Sequence, residues 1–179
     1  MDSKLMAQLT GAPISPEAWK DQLGRHARFV KEARPSAGSS WQVLDVSGMP
    51  LALWQGYSTD DQLNLKFGNL TGLTLDDACL IAAAMPGVLA EKVSFRRAKL
   101  RLSLFTDARL DGANFEDAEL DLADFSRASL RNVNFRGVTG TETDFENCDL
   151  SGADFTGSDL LRPKLSGAKL DGVKGLKTG

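Results

Sequence analysis

The sequence is poor in the residues that catalysis and metal binding draw on. It holds one histidine, His26, one tyrosine, and two cysteines, Cys79 and Cys148, far apart in the chain. One His and two separated thiols cannot assemble the common metal clusters or nucleophile-base pairs, and no Walker or Rossmann glycine pattern is present. A non-enzyme with no cofactor and no metal is therefore expected. His26 reads as a packed helix residue rather than a base or ligand. The same thiols make no disulfide framework and fit a reducing compartment, so a cytoplasmic location is expected. Long apolar runs are missing as well. None approaches the roughly 18 residues of a membrane span, and Met1 to Gly11 lacks a signal-peptide core. Cationic excess is the last absence. Lys and Arg number 21 against 24 Asp and Glu, a net −3, which speaks against direct binding of nucleic acid or a membrane surface.

What the sequence does have is nine Phe and 17 Gly, and the Phe are not scattered. From Leu63 onward an apolar residue recurs at every fifth position: Leu65, Leu70, Leu75, Leu80, Met85, Ala90, Phe95, Leu100, Phe105 and so on to Leu170. Two positions before each stands a small residue, such as Ala98, Ala108, Ala113, Ala118, Ala123, Cys148 or Ala153. The register holds for 22 units between 63 and 173 without an insertion. Five matches neither a helix nor a flat strand. It does fit a chain that turns a corner after each unit, so that four units close a square coil of 20 residues with the small and large residues inside. Phe and Leu alternate from Phe95 to Leu160, broken only at Gly140. The alternation puts Phe on two opposite walls, Leu on the other two. We label the walls by their central residues: wall A (65, 85, 105 and onward by 20), wall B (70, 90, 110), wall C (75, 95, 115) and wall D (80, 100, 120). Ala90 and Gly140 underfill the central site and point to a local dent or bulge. Pro86 marks a corner, and Pro163 stands at a small-residue site.

Units such as Ala113-Asn114-Phe115-Glu116-Asp117 and Ala153-Asp154-Phe155-Thr156-Gly157 resemble the A(D/N)LXX unit of the pentapeptide-repeat family. The resemblance covers residues 63–173. It implies an all-β solenoid, a right-handed quadrilateral parallel β-helix. Before it, residues 1–62 read as an N-terminal cap. Ser15-Pro16-Glu17 starts a helix that runs to about Ala33, with Trp19, Leu23, His26 and Phe29/Val30 on one face. Residues 41–54 read as extended. Residues 174–179 form a short tail with no amphipathic helix. Members of the family that act on DNA gyrase join as dimers through a C-terminal extension, which is not evident here; a homodimer through the open C-terminal coil is an alternative.

The repeat turns the sequence into a surface map, and the mild −3 dissolves into segments. Residues 88–106 net +4, residues 107–159 net −9, and residues 160–179 net +4. Walls D and A carry most of the acids of this waist. Outward apolar residues Leu102, Leu104 and Leu122 collect where those walls meet, with Ile81 and Leu161 farther along wall D. An apolar strip beside carboxylates is the pattern of a protein-binding surface. The expected site is Leu102, Leu104, Glu119, Asp121, Leu122, Asp124, Glu142, Asp144 and Glu146, on a non-catalytic scaffold that recognises a protein partner. The N-terminal segment is the competing occupant of that strip. The family resemblance also implies a DNA-mimic modulator of DNA gyrase or topoisomerase IV. Stacked coils rise about 4.8 Å each, so the waist spans about 13 Å, where duplex DNA carries about seven or eight charges. A secretion-system effector or adaptor is the third reading.

Overall fold

A computed structural model describes residues 69–177. The cap read over 1–62, including its helix 16–33 and its extended stretch 41–54, lies outside the described residues, as does the start of the repeat. Residue i bridges residue i+20 in parallel along the whole described length, from Asn69 with Leu89 to Asp154 with Lys174. Four five-residue units thus close one coil, and the coils stack as a right-handed quadrilateral β-helix. Lys174 still belongs to the ladder, one residue beyond the expected boundary.

The unit around Phe125 shows how a repeat with Asp before its central residue uses its backbone donors. Phe125 N–H donates to the Asp144 carbonyl in the coil above (2.8 Å), and Arg127 N–H to that of Glu146 (2.9 Å). Ser129 N–H donates downward to Ala108 (2.9 Å), and Ala128 N–H closes the turn onto Phe125 (2.9 Å). Four of five donors are thereby used by main chain alone. The fifth, Ser126 N–H, is taken by the Asp124 carboxylate at 2.8 Å. Buried amides must be paired, and this is the physical reason for Asp or Asn just before the central residue. Asn69, Asn114, Asn134, Asp144, Asp149 and Asp154 make the same bond to the N–H two residues on.

The corner requires one backbone conformation. Two residues after every central residue, from Gly72 to Gly172, φ is positive. Positive φ at the second central residue of a turn is the signature of type II, which favours Gly or Asn. Thirteen of these positions nevertheless carry other side chains or Asn, Leu102 (φ 60) and Leu122 (φ 55) among them. Pro86 occupies the first central residue, where its fixed φ suits this turn.

Inside, the expected columns are present. On wall C, Phe95, Phe115, Phe135 and Phe155 stack with centroids 5.0, 5.2 and 4.7 Å apart. On wall A, Phe105, Phe125 and Phe145 stack at 4.9 and 5.4 Å. The columns meet edge to face across the interior, as Phe115 and Phe125 do at 5.6 Å and 89°. All seven rings are fully buried. Offset stacks and edge contacts of this kind add to the burial energy. Inward polar substitutes in the small column find carbonyls: Ser103 Oγ donates to Leu100 (2.6 Å) and Cys148 Sγ to Phe125 (2.8 Å).

The two underfilled units behave differently. Ala90 is buried and keeps its ladder bond to Arg109 at 2.8 Å, so no bulge forms. Gly140 does disturb the chain. Here the isolated bridges lengthen into two short parallel strands, β1 (Thr139–Thr141) and β2 (Asp159–Leu161). The Thr143 hydroxyl donates to Leu120 in the coil below at 2.9 Å. A Cβ on Gly140 would stand 2.6 Å from Thr143 Oγ1 and 3.2 Å from Leu160 Cδ2. Pro163 follows in the next coil at the position whose N–H elsewhere closes the turn. What the proline forfeits is thus a turn bond rather than an inter-coil bond.

Two stability outcomes follow from this packing. Phe125→Ala empties a site between two stacked rings and should cost about 3–5 kcal/mol in urea denaturation. Gly140→Leu restores the repeat pattern but overfills the site, and should destabilise by about 1–3 kcal/mol rather than stabilise.

Candidate protein-binding corner

Wall D turns into wall A through residues 81–84, 101–104, 121–124, 141–144 and 161–164. Leu102 and Leu122 stand at equivalent left-handed positions in successive coils, each held by its N–H, to Asp121 (2.9 Å) and Thr141 (2.9 Å). Leu104 starts wall A and bridges Ala84 on one side and Asp124 on the other. All three leucines are part-exposed. The structure therefore brings the expected apolar residues into one strip, with Ala82 below and Glu142 above. This corner is also the only one among the described residues without a glycine at the left-handed position: Ala82, Leu102, Leu122, Glu142 and Arg162 occupy it. A bulky side chain there costs about 1 kcal/mol.

The acids of the corner divide by task. Asp124 and Asp144 cap the N–H groups of Ser126 (2.8 Å) and Glu146 (2.9 Å). Asp121 accepts the N–H of Thr141 in the next coil at 3.1 Å and lies 3.5 Å from Arg101. Glu142 pairs with Arg162 at 2.9 Å, and Asp144 with Lys164 at 3.5 Å. Glu119 and Glu146 have no ion pair among the described residues. Three of the six expected acids thus serve the backbone, a role that sequence reasoning missed. For Asp124 and Asp144 its signal was visible in the recurrent Asp or Asn one place before the central residue; Asp121, one place after Leu120, has no such signal.

The same pairing redraws the acidic waist. Of its 13 acids, eight make ion pairs, and five of those reach into the flanking basic segments: Glu116 to Arg96, Asp121 to Arg101, Glu142 to Arg162, Asp144 to Lys164 and Asp149 to Lys169. Segments that look separate along the sequence are neighbours in space, because residue i lies beside i+20. Asp117, Glu119, Asp124, Glu146 and Asp159 remain without an ion pair among the described residues. Four of these five lie on walls D and A, so that is where residual negative potential sits. The exposed pairs themselves stabilise little.

Hydrogen bonds to the charged form lower several carboxyls. Ser151 beside Asp149 and Thr156 beside Asp154 hold them below their ordinary values, and Arg127 does the same for Asp107. Burial pushes the Cys148 thiol up to about 12, which leaves it unreactive. Among the described residues no group of three or more His, Cys, Asp or Glu could hold a metal, and no helix is long and apolar enough to cross a membrane.

Residues 98–137 and 141–174 match the sequence model described as pentapeptide repeats, in 8 copies. No curated protein matches the chain in sequence. A solved pentapeptide repeat protein from the cyanobacterium Cyanothece 51142 is 19% identical over 56% of this chain and 82% of its own, with a TM-score of 0.55, which shows a shared fold. A pentapeptide repeat protein of the Arabidopsis thaliana thylakoid lumen is 28% identical over 59% of this chain and 63% of its own, with a TM-score of 0.34. QnrB1, a plasmid-mediated fluoroquinolone resistance protein, is 19% identical over 60% of this chain and 68% of its own, with a TM-score of 0.37. The last two add nothing to the fold likeness.

The capped carboxylates set the pH response. A carboxyl whose folded pKa is depressed contributes stability that is present above its unfolded pKa and lost as pH falls through the folded one. Thermal melts should therefore be flat down to about pH 5 and fall steadily below about pH 4. Asp149→Asn with Asp154→Asn keeps the oxygen acceptor without the charge, and should flatten that acid limb.

Proposed function

We propose that this chain, a member of the pentapeptide-repeat family, is a non-catalytic scaffold that recognises a protein partner through the corner between walls D and A. The carrying observation is the choice of side chain at a strained position. Leu102 and Leu122 hold left-handed backbone (φ 60 and 55) on a part-exposed corner, where glycine or asparagine would serve the fold at lower cost. Strain retained where the fold does not need it points to a use for the side chain. The leucines supply anchoring area, and Glu119, Asp124 and Glu146 steer a partner with a basic surface. No other group in the described structure suggests chemistry of its own.

The DNA-mimic reading is less well supported. Mimicry needs an unbroken run of uncompensated negative charge, whereas eight of the 13 waist acids are paired with Arg or Lys. A homodimer through the C-terminal coil has one observation in its favour. The two exposed large apolar side chains among the described residues, Leu161 (58%) and Leu170 (40%), lie on that coil.

Affinity capture from the source cell with the intact protein and with Leu102→Asn/Leu122→Asn tests the corner. Asparagine accepts left-handed backbone, so the variant should melt no lower than the parent while recovery of the partner falls about tenfold. Equal recovery would remove the corner from consideration. Inhibition of gyrase supercoiling by the intact protein would instead favour the DNA-mimic reading.

A further inference from the structure

We propose that the upper end of the solenoid, over walls A and B of the last coil, takes an acidic segment of another protein. Carboxylates and main-chain carbonyls of that segment would accept the N–H groups that the coil leaves over. The site shares no residue with the corner between walls D and A, so either reading can fail without the other.

The direction of the ladder is the first argument. Around Phe125, two of the three inter-coil bonds run donor-upward, from Phe125 and Arg127, and one runs downward, from Ser129. The units around Phe115 and Leu130 repeat this count. Each such unit therefore turns two N–H donors and one carbonyl toward the coil above. In the last coil the N–H groups of Leu165, Gly167, Leu170 and Gly172 meet no main-chain carbonyl among the described residues. Unpaired groups at a sheet edge are a template for an incoming chain. Here donors outnumber acceptors, so the complementary ligand is rich in acceptors.

The capping position enlarges the surplus. One coil below, Asp144 and Asp149 take the N–H groups of Glu146 (2.9 Å) and Ser151 (3.1 Å). Lys164 and Lys169 stand at the equivalent places in the last coil. The N–H groups of Ser166 and Asp171 thus lack that cap, and no other bond takes them among the described residues. A carboxylate from outside would do for Ser166 what Asp144 does for Glu146.

Charge selects the same class of ligand. Residues 158–177 hold Arg162, Lys164, Lys169, Lys174 and Lys177 against Asp159 and Asp171. Arg162, Lys164 and Lys169 each reach down to an acid of the preceding coil, yet their side chains stay at least half exposed. Lys174 and Lys177 have no ion pair among the described residues. A second copy laid end to end would bring donors to donors and cations to cations, which is repulsive. An acidic segment matches on both counts.

The core also surfaces here. Leu165 is part-exposed and Leu170 is exposed, whereas Phe145 and Leu150 beneath them are fully buried. On wall C the chain closes its own column. Gly175 stands at the central position, where a Cβ would lie 2.5 Å from Thr156 N, and Leu176 packs against the core. Walls A and B have no such closure among the described residues. Leu165 and Leu170 therefore give an incoming segment apolar area to bury beside the donors.

Titration of the full chain with the acidic copolymer poly(Glu,Tyr), followed by amide NMR shifts, tests the proposal. The expected result is saturable shifts confined to the amides of 165–172, with those of 98–137 unmoved. Binding should weaken about tenfold in Lys164→Gln/Lys169→Gln. It should weaken about as much in Ser166→Pro, which removes one donor at the position that Pro86 occupies on the same wall. Parent-like amide shifts over 98–137 are the folding control for both variants. Absence of shifts at 165–172 under about a hundredfold excess of copolymer would overturn the proposal. So would equal binding of poly(Lys,Tyr), or of single-stranded DNA, which has charge without main-chain carbonyls. Shifts at 165–172 that grow with protein concentration alone would place a second copy there and overturn it as well.

Discussion

The structure depends on one constraint: the chain must return to the same lateral position every 20 residues, so that each coil can hand its N–H groups to the carbonyls of the next. Three inter-coil bonds and one turn bond per unit, as around Phe125, leave no slack in the path. The corner must be a tight turn, the turn must pass through left-handed backbone, and the residue after the turn must be small enough to point inward beside a large one. Phe columns follow rather than lead. Stacked coils bring equivalent side chains about 4.8 Å apart, close to the 4.7–5.4 Å ring spacings observed. A flat ring fits that repeat without distorting the ladder.

The same ladder decides what the acidic residues do. One donor per unit lies beyond the reach of any carbonyl, and a short carboxylate or amide one place before the central residue is positioned to take it. Acids that look like surface charge are in part backbone ligands, as at Asp124, Asp144, Asp149 and Asp154. Because i and i+20 are neighbours, an acid also finds whatever cation the next coil presents. Arg127 over Asp107 and Arg131 over Asp111 are pairs of this kind. Net charge counted along the sequence therefore overstates the field, and the charge that matters is what remains after stacking.

How much of this was legible in the sequence depended on how local the cause was. The five-residue register, the square coil and the alternating Phe and Leu walls are properties of spacing, and spacing is written in the sequence. The apolar strip of Leu102, Leu104 and Leu122 was legible for the same reason, since the wall numbering places them together. The use of Asp121, Asp124 and Asp144 was not read, because it depends on which N–H the ladder leaves over. Gly140 and Ala90 look alike as gaps in the central column. Only the surroundings separate them: Leu160 and Thr143 crowd Gly140, whereas Ala90 leaves the ladder undisturbed.

Glycine usage sharpens the meaning of the corner. At the other described corners the left-handed position holds either glycine or a polar side chain. Asp117, Asn132 and Asn147 each extend an oxygen into the space above Gly137, Gly152 and Gly167, where a Cβ would otherwise stand. Those corners are solved by Asx and Gly acting as a pair. The corner between walls D and A uses no glycine in any described coil and places Ala82, Leu102 and Leu122 in sequence up the axis. A solenoid core gains nothing from aliphatic side chains on its outside, and the backbone there would relax with glycine. The proposed partner contact rests on this point, since apolar area held at a strained, outward position gains from burial against another surface.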